Sequence, residues 1–205
     1  MIGIIDYGMG NLGSVANALG YLSIDAEILN SPSSLTTHEH LILPGVGSFT
    51  QAMRCLDDLG WTAALRARVS DGVPLLGICL GMQLMFEAGE EHGVATGLGL
   101  LRGQVVQLTP DPPCRVPHVG WNSLSYSRRH PVFKGVKEHI DFYFSHSFKC
   151  IPSADSTVIA RCDHGGEFVA VVGKKNIVGV QFHPEKSQDM GLKILENFAQ
   201  WDGAC

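Results

Sequence analysis

The first half of the chain alternates short apolar runs with stretches whose apolar residues recur at helical spacing. This alternation predicts a parallel sheet with helices on both faces, a doubly wound α/β fold. In such a fold the functional loops lie at the carboxyl ends of the strands. The predicted strands are residues 2–5, 26–29, 41–43 and 73–78, and the predicted helices are 11–22, 49–56, 61–69 and 80–87.

Beyond residue 89 the pattern changes to strand-like segments with little helix between them. These segments predict antiparallel strands added to the α/β sheet, followed by one closing helix. No linker, internal repeat or low-complexity segment interrupts the chain, so we expect a single domain over residues 1–205. The predicted strands are 104–108, 121–126, 141–148, 157–160, 168–172 and 177–182, and the closing helix is 191–201.

Composition narrows the class of protein. Of the 205 residues, 45% are hydrophobic and 17% are charged, which indicates a globular chain. The net charge of −5 and the lack of a basic run argue against nucleic acid as a partner. No apolar run reaches membrane-spanning length, and the first residues carry no secretory signal, so we expect neither a membrane partner nor secretion.

The cysteines and glycines exclude several kinds of site. The six cysteines are scattered without a CxxC pair, which favours reduced thiols and a cytoplasmic location over disulfides or zinc. The carboxylates show no metal-ligand spacing, so we expect no metal and no other cofactor. The glycine-rich segment 8–13 contains neither GxxxxGK[ST] nor a full GxGxxG, which makes it a weak candidate for a phosphate loop.

Cys79 is the strongest candidate nucleophile. It stands where an apolar run of strand length ends and a helical stretch begins, with Gly77 and Gly81 two residues to either side. This is the G-x-nucleophile-x-G spacing of a strand-to-helix elbow, with cysteine in the serine position. The start of a helix beside the sulfur favours the thiolate, which is the nucleophilic form. The alternative is a buried, inert cysteine in a core strand.

His183 and Glu185 are the candidate base and its orienting group. They follow the apolar segment 177–182, and Pro184 favours an extended conformation at His183. In an extended segment residues i and i+2 project to the same side, so the carboxylate can hold the imidazole in one tautomer. Together with Cys79 they form a potential Cys-His-Glu triad. Taken alone, the same residues also fit a solvent-facing turn.

Acyl transfer also needs N–H donors for an oxyanion. The N–H of Leu80 at the helix start is one candidate, and the loop 44–47, which follows another strand, offers a second. An ordinary strand-to-helix turn is the alternative for this loop. Gln83 lies four residues after Cys79, on the same face of a helix, where its amide could hold a polar substrate.

The segments Gly77-Ile-Cys79-Leu-Gly81-Met-Gln83 and Gln181-Phe-His183-Pro-Glu185 resemble the class I (triad) glutamine amidotransferase family. The resemblance covers essentially the whole chain and implies a flavodoxin-like α/β fold. Five further segments, at 6–15, 44–49, 118–122, 143–147 and 183–187, look like those of the glutaminase subunits of imidazole glycerol phosphate synthase.

The resemblance implies a reaction and a set of site residues. Cys79 would attack the γ-carboxamide of L-glutamine, with His183 moving the proton and Glu185 orienting it, so that a glutamyl thioester forms and ammonia leaves. The backbone around Val46 would turn an N–H inward to complete the oxyanion hole. The other implied oxyanion and glutamine-binding residues are Gly47, Leu80, Gln83, Glu91, Ser145, His146 and Ser147.

The resemblance also implies a partner. Ammonia would pass to a cyclase subunit with a (β/α)8-barrel fold, which makes imidazole glycerol phosphate and an aminoimidazole carboxamide ribotide in histidine biosynthesis. Glutamine hydrolysis would be weak without this partner and its ligand. Positions implied to face the partner in a heterodimer are Asn11, Trp121, Tyr143 and Lys186, although Trp121 also fits core packing.

Two other readings remain open at this point. One is the glutaminase subunit of another synthase, such as pyridoxal phosphate synthase, against which the segments around Trp121 and Tyr143 argue. The other is a catalytically idle subunit that only stabilises its partner, against which the intact Cys79, His183 and Glu185 argue.

Overall fold

The computed structural model describes residues 1–91 and 93–204, which leaves His92 and the last of the six cysteines, Cys205, outside the description. The strands are β1 (Ile2–Ile5), β2 (Ala26–Leu29), β3 (His40–Leu43), β4 (Leu75–Ile78), β5 (Ala88–Gly89), β6 (Ala95–Thr96), β7 (Gly103–Gln107), β8 (His118–Ser123), β9 (Ser125–Tyr126), β10 (Asp141–His146), β11 (Phe148–Pro152), β12 (Val158–Asp163), β13 (Glu167–Lys174) and β14 (Ile177–Val180). The α-helices are α1 (Leu12–Tyr21), α2 (Phe49–Asp58), α3 (Trp61–Ser70), α4 (Leu80–Leu84) and α5 (Gln188–Gln200).

One large sheet organises the molecule. Its first five strands lie in the order β2-β1-β3-β4-β14 and are all parallel. Strands β13 and β11 continue it in antiparallel pairings, β7 and β5 extend it, and β12 attaches to β13. The predicted doubly wound fold with added antiparallel strands is therefore confirmed. The loops after β1, β3, β4 and β14 all leave the same edge of the sheet.

Each face of the sheet carries its own apolar core. Neighbouring strand residues point to opposite faces, so Ile4 and Ile42 belong to one core, while Ile5, Leu41 and Leu43 belong to the other. Helices α1 and α5 cover the first face, and α2 and α3 cover the second. Burial on both faces explains why these strands read as continuous apolar runs rather than alternating ones.

Residues 141–148, predicted as one strand, form two strands in two different sheets. A bend at Ser147 separates β10, which pairs with β8 in a two-stranded sheet, from β11, which joins the large sheet. We call the two-stranded sheet the β8–β10 ribbon. The aromatic residues Phe142, Phe144 and Phe148 stay in one alternating register on both sides of the bend, so the sequence pattern could not reveal it. Likewise, residues 121–126 divide between β8 and β9.

The helix after Cys79 is shorter than predicted, because it ends at Leu84 rather than at residue 87. The carbonyls of Leu84, Met85 and Phe86 accept N–H bonds from residues 98–101, so they are not free to extend the helix. The closing helix α5 instead begins three residues earlier than predicted, at Gln188. Over the described ranges, no helix combines the length and the apolar character that a membrane crossing requires.

Candidate active site

Cys79 occupies a strained turn between β4 and α4, with φ 54° and ψ −109°. Both predicted elbow glycines are required by the packing. A Cβ at Gly81 would overlap the carbonyl oxygen of Leu43, and a Cβ at Gly77 would lie 2.6 Å from Met85 Cε and 2.8 Å from the carbonyl carbon of Gly81. Positive φ at a non-glycine residue is characteristic of functional sites, and here it turns the sulfur toward the edge of the sheet.

His183 lies beside Cys79 and is held by Glu185. The His183 Nδ1 to Glu185 Oε1 distance is 2.9 Å, and both side chains are almost fully buried. His183 itself is extended, as predicted, with φ −103° and ψ 96°, but Pro184–Lys186 forms a single 3-10 turn instead of continuing the extended segment. The fixed φ of proline suits the first position of a helical turn, and this turn brings the carboxylate back to the ring.

The electrostatic setting favours a protonated His183. Burial lowers its pKa, but hydrogen bonds with Cys79 and Glu185 more than offset this and raise the pKa of His183 to about 9. A positively charged imidazole beside the sulfur stabilises an ionised thiol, as in other cysteine–histidine sites. Within the described ranges the second oxygen of Glu185 is buried without a hydrogen-bond partner, so the only side-chain hydrogen bond of this carboxylate there is with His183.

The loop after β3 packs against the first turn of α4. A Cβ at Gly45 would lie 2.5 Å from the Tyr7 hydroxyl and 3.0 Å from Leu80 Cβ, so glycine is needed for this close approach. Gly47 has φ 103°, which only glycine adopts readily. Val46 between them is 43% exposed. The two predicted sources of oxyanion donors therefore lie next to each other.

A cavity of about 310 Å³ brings most of the predicted site residues together. A larger cavity of about 860 Å³ is lined by residues such as Tyr126 and Phe133, so the site is identified by its chemistry and not by its size. Glu185 stands behind His183, outside the cavity lining. The lining residues are Val46, Gly47, Cys79, Leu80, Gln83, Glu91, Pro117, Ser145, His146, Ser147, Phe148, His183 and Lys186.

Gln83 and Glu91 lie in the cavity with part of their hydrogen-bonding capacity already used. Gln83 Nε2 donates to the Phe148 carbonyl at 3.2 Å and to Gln181 Oε1 at 3.0 Å, so only its Oε1 is left for a ligand. Glu91 Oε2 accepts from the Phe49 N–H at 2.6 Å, at the start of α2. A substrate group bound by Gln83 would therefore have to be a hydrogen-bond donor.

Several contacts in the site were not predicted from the sequence. Gln181, fully buried just after β14, donates from Nε2 to Cys79 Sγ at 3.8 Å. His118 donates to or accepts from His146 at 3.0 Å. Gln181 and His118 occur in the segments that carry the family resemblance, but the sequence alone gave no signal that they would lie beside Cys79 and His146.

The residues predicted to face a partner lie on the same side as the cavity, and Asn11, at the start of α1, follows the loop that leaves this same edge of the sheet. Asn11 Oδ1 caps that helix by accepting from the Ser14 N–H at 3.3 Å. Trp121 is 47% exposed, so it does not pack in the core, and its ring lies 6.0 Å from that of Tyr143. Lys186 Nζ lies 5.7 Å from the Tyr143 ring centre. The interface itself remains a prediction.

Sequence comparison now gives the class of protein that this fold and site define. The protein-family model described as glutamine amidotransferase class-I matches residues 3–201, and the chain belongs to this family. Two similar relatives are named imidazole glycerol phosphate synthase subunit HisH. That of Desulfitobacterium hafniense Y51 is 47% identical over 98% of this chain and 94% of its own. The subunit of Geobacillus kaustophilus HTA426 is 48% identical over 97% of this chain and 95% of its own.

Solved structures support the fold independently. A glutamine amidotransferase crystal structure covers 96% of this chain and 98% of its own, with a TM-score of 0.75 at 22% identity. The structure of PurLQS from Thermotoga maritima covers 97% of each chain, with a TM-score of 0.76 at 20% identity. At this level of identity the similarity concerns the fold alone.

Proposed function

We propose that this chain hydrolyses L-glutamine to glutamate and ammonia as the glutaminase subunit of an imidazole glycerol phosphate synthase. The observation that carries this proposal is Cys79 at a strained elbow, in hydrogen-bond contact with a His183 that Glu185 holds at 2.9 Å. Relatives named as this subunit, 47–48% identical over nearly the full chain, support the choice of pathway.

In the proposed reaction the Cys79 thiolate attacks the γ-carboxamide carbon of glutamine. His183 then donates its proton to the departing nitrogen, and ammonia leaves behind a γ-glutamyl thioester. Water, deprotonated by His183, attacks this thioester and releases glutamate. Glu185 keeps Nδ1 of His183 protonated throughout, so that Nε2 is the atom that exchanges protons with sulfur, nitrogen and water.

The developing oxyanion would be held by the N–H of Leu80 and by an N–H from the loop around Val46 and Gly47. Donors of this kind typically contribute about 10²–10³-fold each to the rate. The remaining Oε1 of Gln83 suits the ammonium group of the amino acid, because it can only accept hydrogen bonds. Glu91 and residues 145–147 line the rest of the glutamine pocket.

The ammonia would pass to a cyclase subunit with a (β/α)8-barrel fold, bound as a heterodimer on the face that carries Trp121, Tyr143 and Lys186. Two exposed apolar residues on β8, Val119 and Trp121, support this choice of surface. Val119 is opposite Ser145 in the ribbon and Trp121 is opposite Tyr143, so the apolar surface and the cavity meet along two strands.

The test is glutamate release from glutamine by the purified chain, alone and with a histidine-pathway cyclase subunit and its ribulosyl ligand. We expect strong activation by the cyclase and its ligand, and loss of glutamate release in Cys79→Ala. High activity that ignores the cyclase would point to a different synthase. No release under either condition, with the complex formed, would favour the idle-subunit alternative.

A further inference from the structure

The backbone carbonyl of Phe148 receives two side-chain donors on the floor of the site. Nδ1 of His146 lies 2.8 Å from this oxygen, and Nε2 of Gln83 lies 3.2 Å from it. A carbonyl oxygen can only accept hydrogen bonds. His146 must therefore carry its proton on Nδ1, and Gln83 must present its amide nitrogen, not its oxygen, to Phe148.

This assignment fixes the next amide in the chain of contacts. Gln83 Nε2 also lies 3.0 Å from the side chain of Gln181, and because it is a donor, Gln181 must present Oε1 to it. The amide nitrogen of Gln181 then points the other way, toward Cys79 Sγ at 3.8 Å. The direction of the N–H at the sulfur is thus determined by the Phe148 carbonyl, two side chains away.

A second chain of contacts holds the same carbonyl from the other side. Since His146 Nε2 carries no proton, His118 must donate to it from Nδ1 at 3.0 Å, and Asn122 Nδ2 then donates to His118 Nε2 at 3.3 Å. Both rings must be neutral for this alternation. Burial agrees, because it lowers the pKa of His118 to about 3 and that of His146 to about 4.

The surroundings of the sulfur show what the Gln181 donor does. The Ser145 carbonyl lies 3.8 Å from Cys79 Sγ, where it accepts a hydrogen bond from a thiol but offers nothing to a thiolate. Gln181 instead donates an N–H to the sulfur, and a donor favours the ionised form over the thiol. Hydrogen bonds to charged groups are about twice as strong as neutral ones, and Gln181 has no exposed surface through which water could compete.

We propose that Gln181 acts directly on the nucleophile as a fixed N–H donor that stabilises the Cys79 thiolate alongside His183. This role rests on the proposed glutaminase function, and neither the family match nor the relatives' names assign it. The donor is pre-oriented, because its direction is set by Gln83 and the Phe148 carbonyl before any substrate arrives.

The test compares Gln181→Met, which keeps the side-chain length but removes the donor, with the wild-type chain. We expect alkylation of Cys79 by iodoacetamide at pH 7, followed by peptide mass mapping, to slow about ten-fold, as for the loss of a hydrogen bond to a charged group. The ultraviolet absorbance of the thiolate should fall in parallel. In the complex, kcat for glutamine should fall more than KM rises.

Asn176→Leu provides a matched control at the other end of β14. Asn176 is another buried amide, which donates to the Val69 and Val73 carbonyls far along the strand from Cys79. This control should lose stability comparably while Cys79 keeps its alkylation rate. Wild-type alkylation and thiolate absorbance in a folded Gln181→Met chain would overturn the proposal.

Both readouts of Cys79 are independent of glutamine hydrolysis, so the two proposals can fail separately. If the wild-type chain released no glutamate but Gln181→Met still lowered the thiolate signal, only the proposed function would fall. If glutamate release were normal and the thiolate signal unchanged, only the role of Gln181 would fall.

Discussion

At the scale of single residues, the protonation of the site is set by direct hydrogen-bond neighbours. His183 gains its charge from Cys79 and Glu185, in spite of its burial. Glu185 is placed by the short turn at Pro184–Lys186. The sequence was sufficient to predict the pairing of His183 with Glu185, but not the turn, because an i, i+2 spacing fits both an extended segment and a 3-10 turn.

We expect Glu185→Gln to lower kcat for glutamine about 10²–10⁴-fold, the range typical of general acid–base groups. The amide is isosteric but uncharged, so it no longer favours the protonated imidazole. The measurement is glutamate release by the activated complex. Glu196→Gln is the control, because Glu196 pairs with Lys193 at the surface, 2.7 Å away and away from the cavity. A Glu185→Gln enzyme with nearly full kcat would remove Glu185 from the mechanism.

At the scale of elements, the elbow depends on close approach between α4 and two strands. The spacing of Gly77 and Gly81 was readable in the sequence because a sharp turn of this kind requires small residues. The bend at Ser147 was not readable, because the aromatic residues Phe142, Phe144 and Phe148 stay in one alternating register on both sides of it. Gln181 was missed for a similar reason. The sequence places it near the end of the predicted strand 177–182, but its contact with Cys79 depends on how β14 is placed beside β4.

We expect Gly81→Ala to disrupt the elbow, because the added methyl group would overlap the Leu43 carbonyl oxygen. Backbone cannot yield as a flexible side chain can, so α4 would shift and both stability and glutamate release would be lost. Gly20→Ala in α1 is the control. Among the described residues, no atom outside the adjacent residues and the backbone of α1 itself lies within 4 Å of the Cβ position there, and alanine should add up to about 1 kcal/mol of stability. Thermal unfolding and glutaminase assays of both variants measure these effects. A Gly81→Ala chain that is as stable and active as the wild type would contradict the packing argument.

At the scale of the whole molecule, one edge of the sheet carries the cavity while the β8–β10 ribbon extends the same side as an apolar surface. The fold class, Cys79, His183 and the loop 44–47 could be predicted from strand order and loop position, whereas Glu91 and residues 145–147 were expected only from the family resemblance, and Pro117 and Phe148 were not predicted. The ribbon could not, because its strands look like members of the large sheet. Its exposed residues are also those that we expect to meet the partner.

We expect Trp121→Ala to weaken binding of the cyclase subunit about ten-fold or more, as is typical of a large aromatic at the centre of an interface. Trp121 is 47% exposed beside Tyr143, so its loss should not destabilise the free chain. Calorimetric titration with the cyclase measures the affinity. Tyr21→Ala, at the far end of α1 and 79% exposed, should leave it unchanged. Equal affinities for all three chains would place the interface elsewhere.

The pH dependence of stability should have two opposite limbs that meet near pH 6.5. Burial lowers the pKa of His118 to about 3 and those of His130 and His146 to about 4. The unfolded chain therefore binds more protons below pH 6.5, and stability should fall on acidification by up to about 1.4 kcal/mol per pH unit for each ring. The pKa of His183 is raised to about 9, so its contribution is complete below pH 6.5 and is lost as the pH rises through 9.

Urea unfolding of the free chain between about pH 4.5 and about pH 9 measures both limbs, because this covers most of the range in which the folded and unfolded chains bind different numbers of protons. His183→Asn should flatten the alkaline limb and leave the acid limb in place. An acid limb that is absent, with stability independent of pH below 6.5, would show that the buried histidines are not held neutral.

The Phe148 carbonyl has a consequence for how the site tolerates change. It belongs to the main chain, so every residue type at position 148 supplies the same acceptor. A substitution at this position can change the apolar side chain without reversing the direction of either series of hydrogen bonds that ends at the carbonyl. The orientation of the amide at the nucleophile is therefore protected against point substitution at its origin, and the vulnerable positions are the two glutamines, whose side chains no backbone atom replaces.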